Sequence, residues 1–308
     1  MKIFRTVEEI PFDPHTAVTV GTFDGVHLGH REVIRSLKEI AGQAGSRSLL
    51  ITFEPHPQSV IRPGSIRLLT TPGEKLILLG ESGVDVLLVL PFSKAFSRTG
   101  PEHFVGEVLN RKIGMRMFVL GEGHRFGNAK QGGRDMLQRL SGEFGFGIRI
   151  VPPFVSGGSP VSSTRIRGLL EDGHVAEAHV LLGRGYTFSG TVKPGRGIGS
   201  RIGFPTANIH PDHPLLLVPK DGVYAVRVQM EDRWMAGTCN IGFSPTVGGT
   251  GREIEVHIHQ EIGEGYGRPI RIEFISRLRD ELKFDTVDEL VDQIKLDKEK
   301  STAILSQS

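Results

Sequence analysis

Between residues 17 and 153, short runs of β-branched and aliphatic residues alternate with stretches of helical periodicity, a pattern that predicts a parallel α/β sheet. The predicted strands are Ala17–Val20, Ser48–Phe53, Asp85–Leu90, Met117–Leu120 and Ile148–Val151. Between them, Val33, Ile34, Leu37 and Ile40 fall on one helical face, as do Phe104, Val105, Val108 and Leu109, so both segments read as amphipathic cover helices. Two further helical patterns, Thr164–Leu170 and Val175–Leu182, close at Gly183 and Gly185, where glycine supplies the left-handed turn after a helix. The domain boundary is placed there, giving domains over 1–183 and 184–308.

From Tyr186 the period changes to two. Tyr186–Val192, Gly222–Gln229, Trp234–Ile241, Glu253–His259 and Ile270–Ile275 read as strands between Gly/Pro turns, which predicts a small antiparallel barrel. Val287, Leu290, Val291, Ile294 and Ile304 then predict a closing amphipathic helix over Thr286–Leu305, capped by Asp285 or Thr286.

Composition narrows the classes. A chain of 308 residues suffices for two domains. Its one cysteine, Cys239, excludes an intrachain disulfide and any Cys/His zinc spacing, which fits a reducing cytoplasm. The first 18 residues lack a continuous apolar core, so no secretory signal is expected. No apolar run approaches the ~18 residues a membrane span needs. A net charge of +2, dispersed basic residues and a single tryptophan, Trp234, leave no footprint for nucleic acid. The 40 glycines are nearly twice the usual share of about 7 % and ask for a local explanation.

One explanation is Gly21-Thr-Phe-Asp-Gly-Val-His-Leu-Gly-His30, which follows the first strand and opens the first helix. Backbone N–H groups at a helix N-terminus stabilise anions, and Gly21, Gly25 and Gly29 let the main chain approach a phosphate. His27 and His30, three apart, are candidates to donate to phosphate oxygens as charge builds on a departing pyrophosphate. Late in the same domain, Ser162, Ser163 and Thr164 offer hydroxyls at a helix start, with Arg165 or Arg167 as a charge clamp. Alone, that stretch reads as a helix cap.

The second glycine cluster runs from Gly195 through Gly197, Gly199 and Gly203 to Pro205, Thr206 and Asn208. It is too glycine-rich for a regular strand. It reads as a loop over a polyphosphate, with Thr206 and Asn208 as hard oxygen ligands for Mg²⁺. There is no GxxxxGK[ST], no protein-kinase motif set, no GxSxG and no candidate catalytic cysteine. Farther on, Glu255, His257 and His259 share one strand face, and a carboxylate there is placed to accept a hydroxyl proton during phosphoryl transfer. The bland alternative is an exposed strand face.

The stretch ending in His27-Leu-Gly-His30 resembles the HxGH signature of the nucleotidyltransferase superfamily. Taken with Thr52-Phe-Glu-Pro-His-Pro57, the SSTRIR stretch 162–167, Gly203-Phe-Pro-Thr-Ala-Asn208, Asn240-Ile-Gly-Phe-Ser-Pro-Thr-Val247, Glu255-Val-His257 and Leu278-Arg-Asp-Glu-Leu-Lys-Phe284, the order resembles the bacterial bifunctional riboflavin kinase/FAD synthetase family over essentially the whole chain. The resemblance implies a Rossmann-like nucleotidyltransferase (FAD synthetase) domain over 1–183 and a riboflavin kinase barrel with a terminal helix over 184–308. It implies ATP and Mg²⁺, with riboflavin, FMN and FAD as substrates and products. In the barrel, Thr206 and Asn208 look like Mg²⁺-ATP ligands beside Gly195, Gly199, Gly203 and Pro205, and Glu255 like the base that activates the ribityl 5′-hydroxyl. In the first domain, Gly21, Phe23, Asp24, Gly29, Ser162, Ser163, Thr164 and Arg167 look like the ATP grip around His27 and His30.

Two positions depart from the family pattern. Gly123 stands where a carboxylate or amide is usual, with Glu122 or His124 as neighbours that could substitute. Ser200 takes the place of an arginine, and Arg201 follows it. The alternatives are therefore a riboflavin kinase with a degenerate first domain, and a flavin- or nucleotide-binding regulator without catalysis.

Overall fold

The computed structural model describes residues 1–123, 134–195, 198–243, 252–260 and 265–307. The chain divides into two compact units, 1–66 with 72–162 and 67–71 with 163–308.

The first unit is a six-stranded sheet, parallel throughout, in the order β1-β4-β3-β2-β5-β6. Its strands are β1 (Lys2–Phe4), β2 (Thr16–Val20), β3 (Ser48–Glu54), β4 (Val86–Pro91), β5 (Met115–Gly121) and β6 (Gly147–Val151). The five predicted strands are present, and β1 adds an edge that its three residues are too few to announce. β2, β3 and β4 do not alternate between buried and exposed positions, since both of their faces are covered. One face packs on Ile34, Leu37 and Ala41 of α1 (Leu28–Gln43), as the 3.6-residue spacing predicts, and on Leu79 of α3 (Pro72–Gly80). The short α2 (Pro57–Ile61) lies between β3 and α3 in the chain. The opposite face is covered by Phe104, Val105, Leu109 and Ile113, on π-helical turns that continue α4 (Pro101–His103) to Ile113, and by Leu137 and Leu140 of α5 (Arg134–Phe144). A two-stranded ribbon, β7 (Val155–Ser156) with β8 (Ser159–Pro160), completes the unit.

The second unit opens with α6 (Ser163–Glu171) and α7 (Val175–Leu182), the latter ending at Gly183 with φ of 67°. The sequence boundary at 183/184 falls at that turn. The hairpin before it makes its contacts inside the second unit, where α7 packs on two barrel strands, β9 and β14. The closed barrel has the order β10-β13-β12-β11-β14-β9, built from β9 (Tyr186–Lys193), β10 (Ala207–Pro211), β11 (Gly222–Met230), β12 (Arg233–Phe243), β13 (Arg252–Ile258) and β14 (Pro269–Arg279). Tyr186, Phe188, Tyr224, Cys239, Val256 and Phe274 fill its interior.

β10 is a correction to the sequence reading. Residues 195–208 read as loop throughout, yet Asn208 lies within a strand paired to both β9 and β13. Only five residues between two prolines carry the alternation, too short a run to show above the glycines. The glycine segment itself contains one helical turn, α8 (Ile198–Arg201). The terminal helix α9 (Val287–Leu305) is capped by Thr286, whose Oγ1 accepts from the Glu289 N–H at 3.2 Å. It packs on β11, β12 and β14, where Ser301 is fully buried and donates to the Gly237 carbonyl at 2.9 Å.

Candidate active sites

In the first unit the chain leaves β2 outward through β3 and β4, then returns to β5 on β2's other side. The order therefore reverses between β2 and β5, and the crevice beyond the carboxyl ends of such strands is where open α/β sheets bind ligands. The loop from Gly21 to His27 begins at the end of β2, and Gly121, Glu122 and Gly123 stand at the end of β5. The loop is anchored from below: the Gly21 N–H donates to the Ile51 carbonyl at 3.0 Å and Thr52 Oγ1 to the Thr22 carbonyl at 3.0 Å. Phe23 and Asp24 are buried, and Phe23 packs in the apolar cluster with Val26 and Ile34. Phe23 (φ 50°) and Val26 (φ 40°) both adopt left-handed backbone, which is strained for a β-branched residue and is found where a fold over-determines a functional loop.

His27 caps α1. Its Nδ1 accepts from the His30 N–H at 3.2 Å, and the two rings stack with centroids 3.6 Å apart. An Nδ1 acting as acceptor leaves the proton of the neutral ring on Nε2, so His27 is set as an Nε2–H donor at a helix N-terminus. The edge of Phe23 supports the His30 ring at 5.2 Å. Gly29 is needed here because a Cβ would stand 3.2 Å from both the His27 ring and the Val161 carbonyl. That contact brings the chain just before Ser162 against the HxGH turn. Ser163, Thr164 and Arg167 lie on α6 in the other unit, where Arg167 Nε donates to the Arg67 carbonyl at 2.6 Å. Arg165 lies on α6 with them. At the departure from the family pattern, a Cβ on Gly123 would meet nothing within 4 Å and Glu122 is exposed; His124 lies outside the described residues.

In the second unit, a cavity of about 660 Å³ opens on the outside of the barrel. Register builds its polar wall. Asn208 on β10 and Asn240 on β12 both pair with Glu255 on β13, so the carboxylate stands between two amides on one sheet face. One row along, Thr238 pairs with His257, and Thr206 lines the same cavity. Gly195 folds its main chain directly over Asn208, since a Cβ there would overlap the side-chain amide. His257 Nδ1 lies 3.0 Å from the Pro205 carbonyl, which ties the segment before Thr206 to β13. Burial pushes the His257 pKa below its ordinary value, more than the Pro205 carbonyl raises it. His259 shares the face, with Nε2 at 2.9 Å from Thr238 Oγ1, and its pKa is pushed down to about 4 by burial and then by the nearby charges of His257 and Lys298. Burial pushes the Cys239 thiol up, so it offers no nucleophile. Gly203 has φ of 85°, Gly199 lines the cavity and Arg201 is exposed at the end of α8; Gly197 and residues 244–247 of the NIGFSPTV stretch lie outside the described residues.

The segment from 281 to 294 also lines the cavity, with Leu282, Phe284, Val287, Leu290 and Ile294 as its apolar residues beside Glu281, Asp285 and Thr286. Leu282 and Val287 are 52 % and 60 % exposed, an open apolar patch beside polar groups of the kind that takes a planar ligand. Arg279 and Asp297 hold α9 to the barrel. Arg279 Nη2 lies 2.7 Å and Nε 3.0 Å from Asp297 Oδ2, and Gln293 Nε2 donates to Oδ1 at 2.9 Å. The sequence reading had no role for Asn240, Thr238, Asp297 or these apolar residues. The period-3.6 stripe of α9 predicts an amphipathic helix, and three of its five residues, Val287, Leu290 and Ile294, line the cavity.

Residues 9–165 match the family model for FAD synthetase and residues 182–305 the one for riboflavin kinase. The bifunctional riboflavin kinase/FMN adenylyltransferase of Escherichia coli (strain K12) is 35 % identical over 303 residues, 96 % of each chain. That of Bacillus subtilis (strain 168) is 36 % identical over 299 residues, 94 % of this chain and 93 % of the relative. A crystal structure described as a macrolide-efflux protein from Streptococcus pneumoniae matches with a TM-score of 0.87 at 30 % identity, covering 98 % of both chains. Among the described residues, no helix is long and apolar enough to cross a membrane. Both family models match within one chain, in the order and over nearly the full length of the relatives, and the chain therefore belongs to the bifunctional riboflavin kinase/FMN adenylyltransferase family.

Proposed function

We propose that the barrel unit phosphorylates riboflavin to FMN with ATP and that the parallel-sheet unit transfers AMP from a second ATP to FMN, giving FAD and pyrophosphate. The observation that carries this reading is the row Asn208, Glu255, Asn240 in one cavity with the apolar residues of 282–294, a hydroxyl-activating carboxylate in the same cavity as a patch for a planar ring. In the kinase step Glu255 accepts the 5′-hydroxyl proton as that oxygen attacks the γ-phosphorus and ADP departs. Thr206 and Asn208 fit a hard cation: they offer neutral oxygen donors, and the main chain at Gly195 closes over one of them. When bound there, Mg²⁺ neutralises charge on the ATP phosphates. In the adenylyl step a phosphate oxygen of FMN attacks the α-phosphorus, and His27, His30 and the N–H groups opening α1 stabilise the departing pyrophosphate. Ser162, Ser163, Thr164 and Arg167 complete the grip on that ATP, and Phe23 and Asp24 support the loop from beneath. Both steps depend on positioning and charge, which suits a sequence with no GxSxG motif and no candidate catalytic cysteine.

Product analysis after incubation with riboflavin, ATP and Mg²⁺ tests the reading. FAD is expected. FMN alone would favour a kinase with a degenerate first domain, and neither product would overturn the proposal.

A further inference from the structure

His257 is only 9 % exposed, and its two ring nitrogens are treated differently by the protein. Nδ1 faces the carbonyl of Pro205, which can only accept, so the ring proton sits on Nδ1 and Nε2 carries a lone pair. Nε2 is buried and has no hydrogen-bond partner among the described residues. A buried acceptor without a donor is unusual enough to need a reason. The ring lines the kinase cavity two residues from Glu255 on the same strand face, with Phe204 edge-on at 5.4 Å to fix its plane.

We infer that His257 is a substrate-binding residue of the kinase site, whose Nε2 accepts a hydrogen bond from a hydroxyl of the bound substrate. The inference rests on the kinase reading above. The chemistry selects the ligand group: phosphate oxygens present acceptors and are not matched to a lone pair, whereas a hydroxyl donates. Two sources supply hydroxyls in this cavity, the ribityl chain of riboflavin and the ribose of ATP. The ring thus has two tasks, Nδ1 holding the segment that carries Thr206 and Nε2 reading the substrate.

His257→Asn separates them, because its amide nitrogen occupies the place of Nδ1 while nothing occupies the place of Nε2. Steady-state kinetics are measured for wild type and variant with riboflavin, its 2′-, 3′- and 4′-deoxy analogues, ATP, and 2′- and 3′-deoxy-ATP. The variant should raise the KM of one substrate about five- to tenfold and leave the other within about twofold. One deoxy analogue of that substrate should show the same penalty with wild type and no further penalty with the variant, a coupling that a merely structural histidine would not produce. Coupling to a deoxyriboflavin assigns the ribityl chain, and coupling to a deoxy-ATP assigns the ribose. Additive losses with every analogue, or no change in either KM, would overturn the inference. If His257→Asn does not fold, His257→Phe, which keeps a ring beside Phe204, carries the same comparison. A wild-type protein that makes no FMN fails the parent reading; one that makes FMN without any coupling fails this inference alone.

Discussion

Glu255 gains its meaning from its neighbours across the sheet, since Asn208 and Asn240 are its register partners on the two adjoining strands. Glu255→Gln keeps the shape and removes the proton acceptor, so FMN formation should fall by about 10²–10⁴-fold while FAD formation from supplied FMN is unchanged; chromatography of both reactions checks it. His30→Ala should do the reverse, and Gly29→Ala should follow it, because the added methyl presses on the His27 ring that caps α1. His259 supplies a pH dependence. Its folded pKa of about 4 lies below the ordinary 6.5, so between these values the unfolded chain binds a proton that the folded chain does not. Stability of the second unit is therefore full above about pH 6.5 and falls as pH drops towards 4. Urea midpoints at pH 7 and pH 5 should show the fall, and His259→Gln should show less of it.

The elements show what periodicity reveals and what it hides. Long strands with both faces covered, such as β3 and β4, and helices with a buried stripe, such as α1, were legible because many residues repeat one signal. β1 and β10 were not, being three and five residues long. The glycine segment showed that a phosphate loop was present without showing that Asn208 ends it inside a strand, since register is a property of pairs of strands and not of one. The same limit hid Asn240, a partner of Glu255 only through the β12–β13 pairing. α9 was legible as an amphipathic helix, and its tie to the barrel was not, because Arg279 and Asp297 are 18 residues apart in sequence. Asp297 is almost wholly buried, so Asp297→Ala leaves Arg279 without its anion and should cost about 3 kcal/mol in urea unfolding. Because the helix carries Leu290 and Ile294 into the cavity wall, the riboflavin KM should rise more than the ATP KM in the same variant.

At the scale of the molecule, part of the glycine excess falls in two clusters, one at the HxGH loop and one before β10, each in its own compact unit. Each unit contains its own core and its own glycine loop, and the two residues proposed to be indispensable to one reaction each, His30 and Glu255, lie in different units. In the proposed scheme the two are joined in chemistry by FMN, the product of one step and the substrate of the next. A molecule built this way should tolerate having its two defects on different chains. Glu255→Gln alone, given riboflavin, ATP and Mg²⁺, should make almost nothing; His30→Ala alone should stop at FMN. An equimolar mixture should form FAD after a lag in which free FMN accumulates, and the lag should shorten as the His30→Ala variant, which supplies FMN, is raised. Chromatographic time courses distinguish this from obligatory hand-over within one chain, for which the mixture would accumulate FMN and make no FAD beyond the sum of the separate variants.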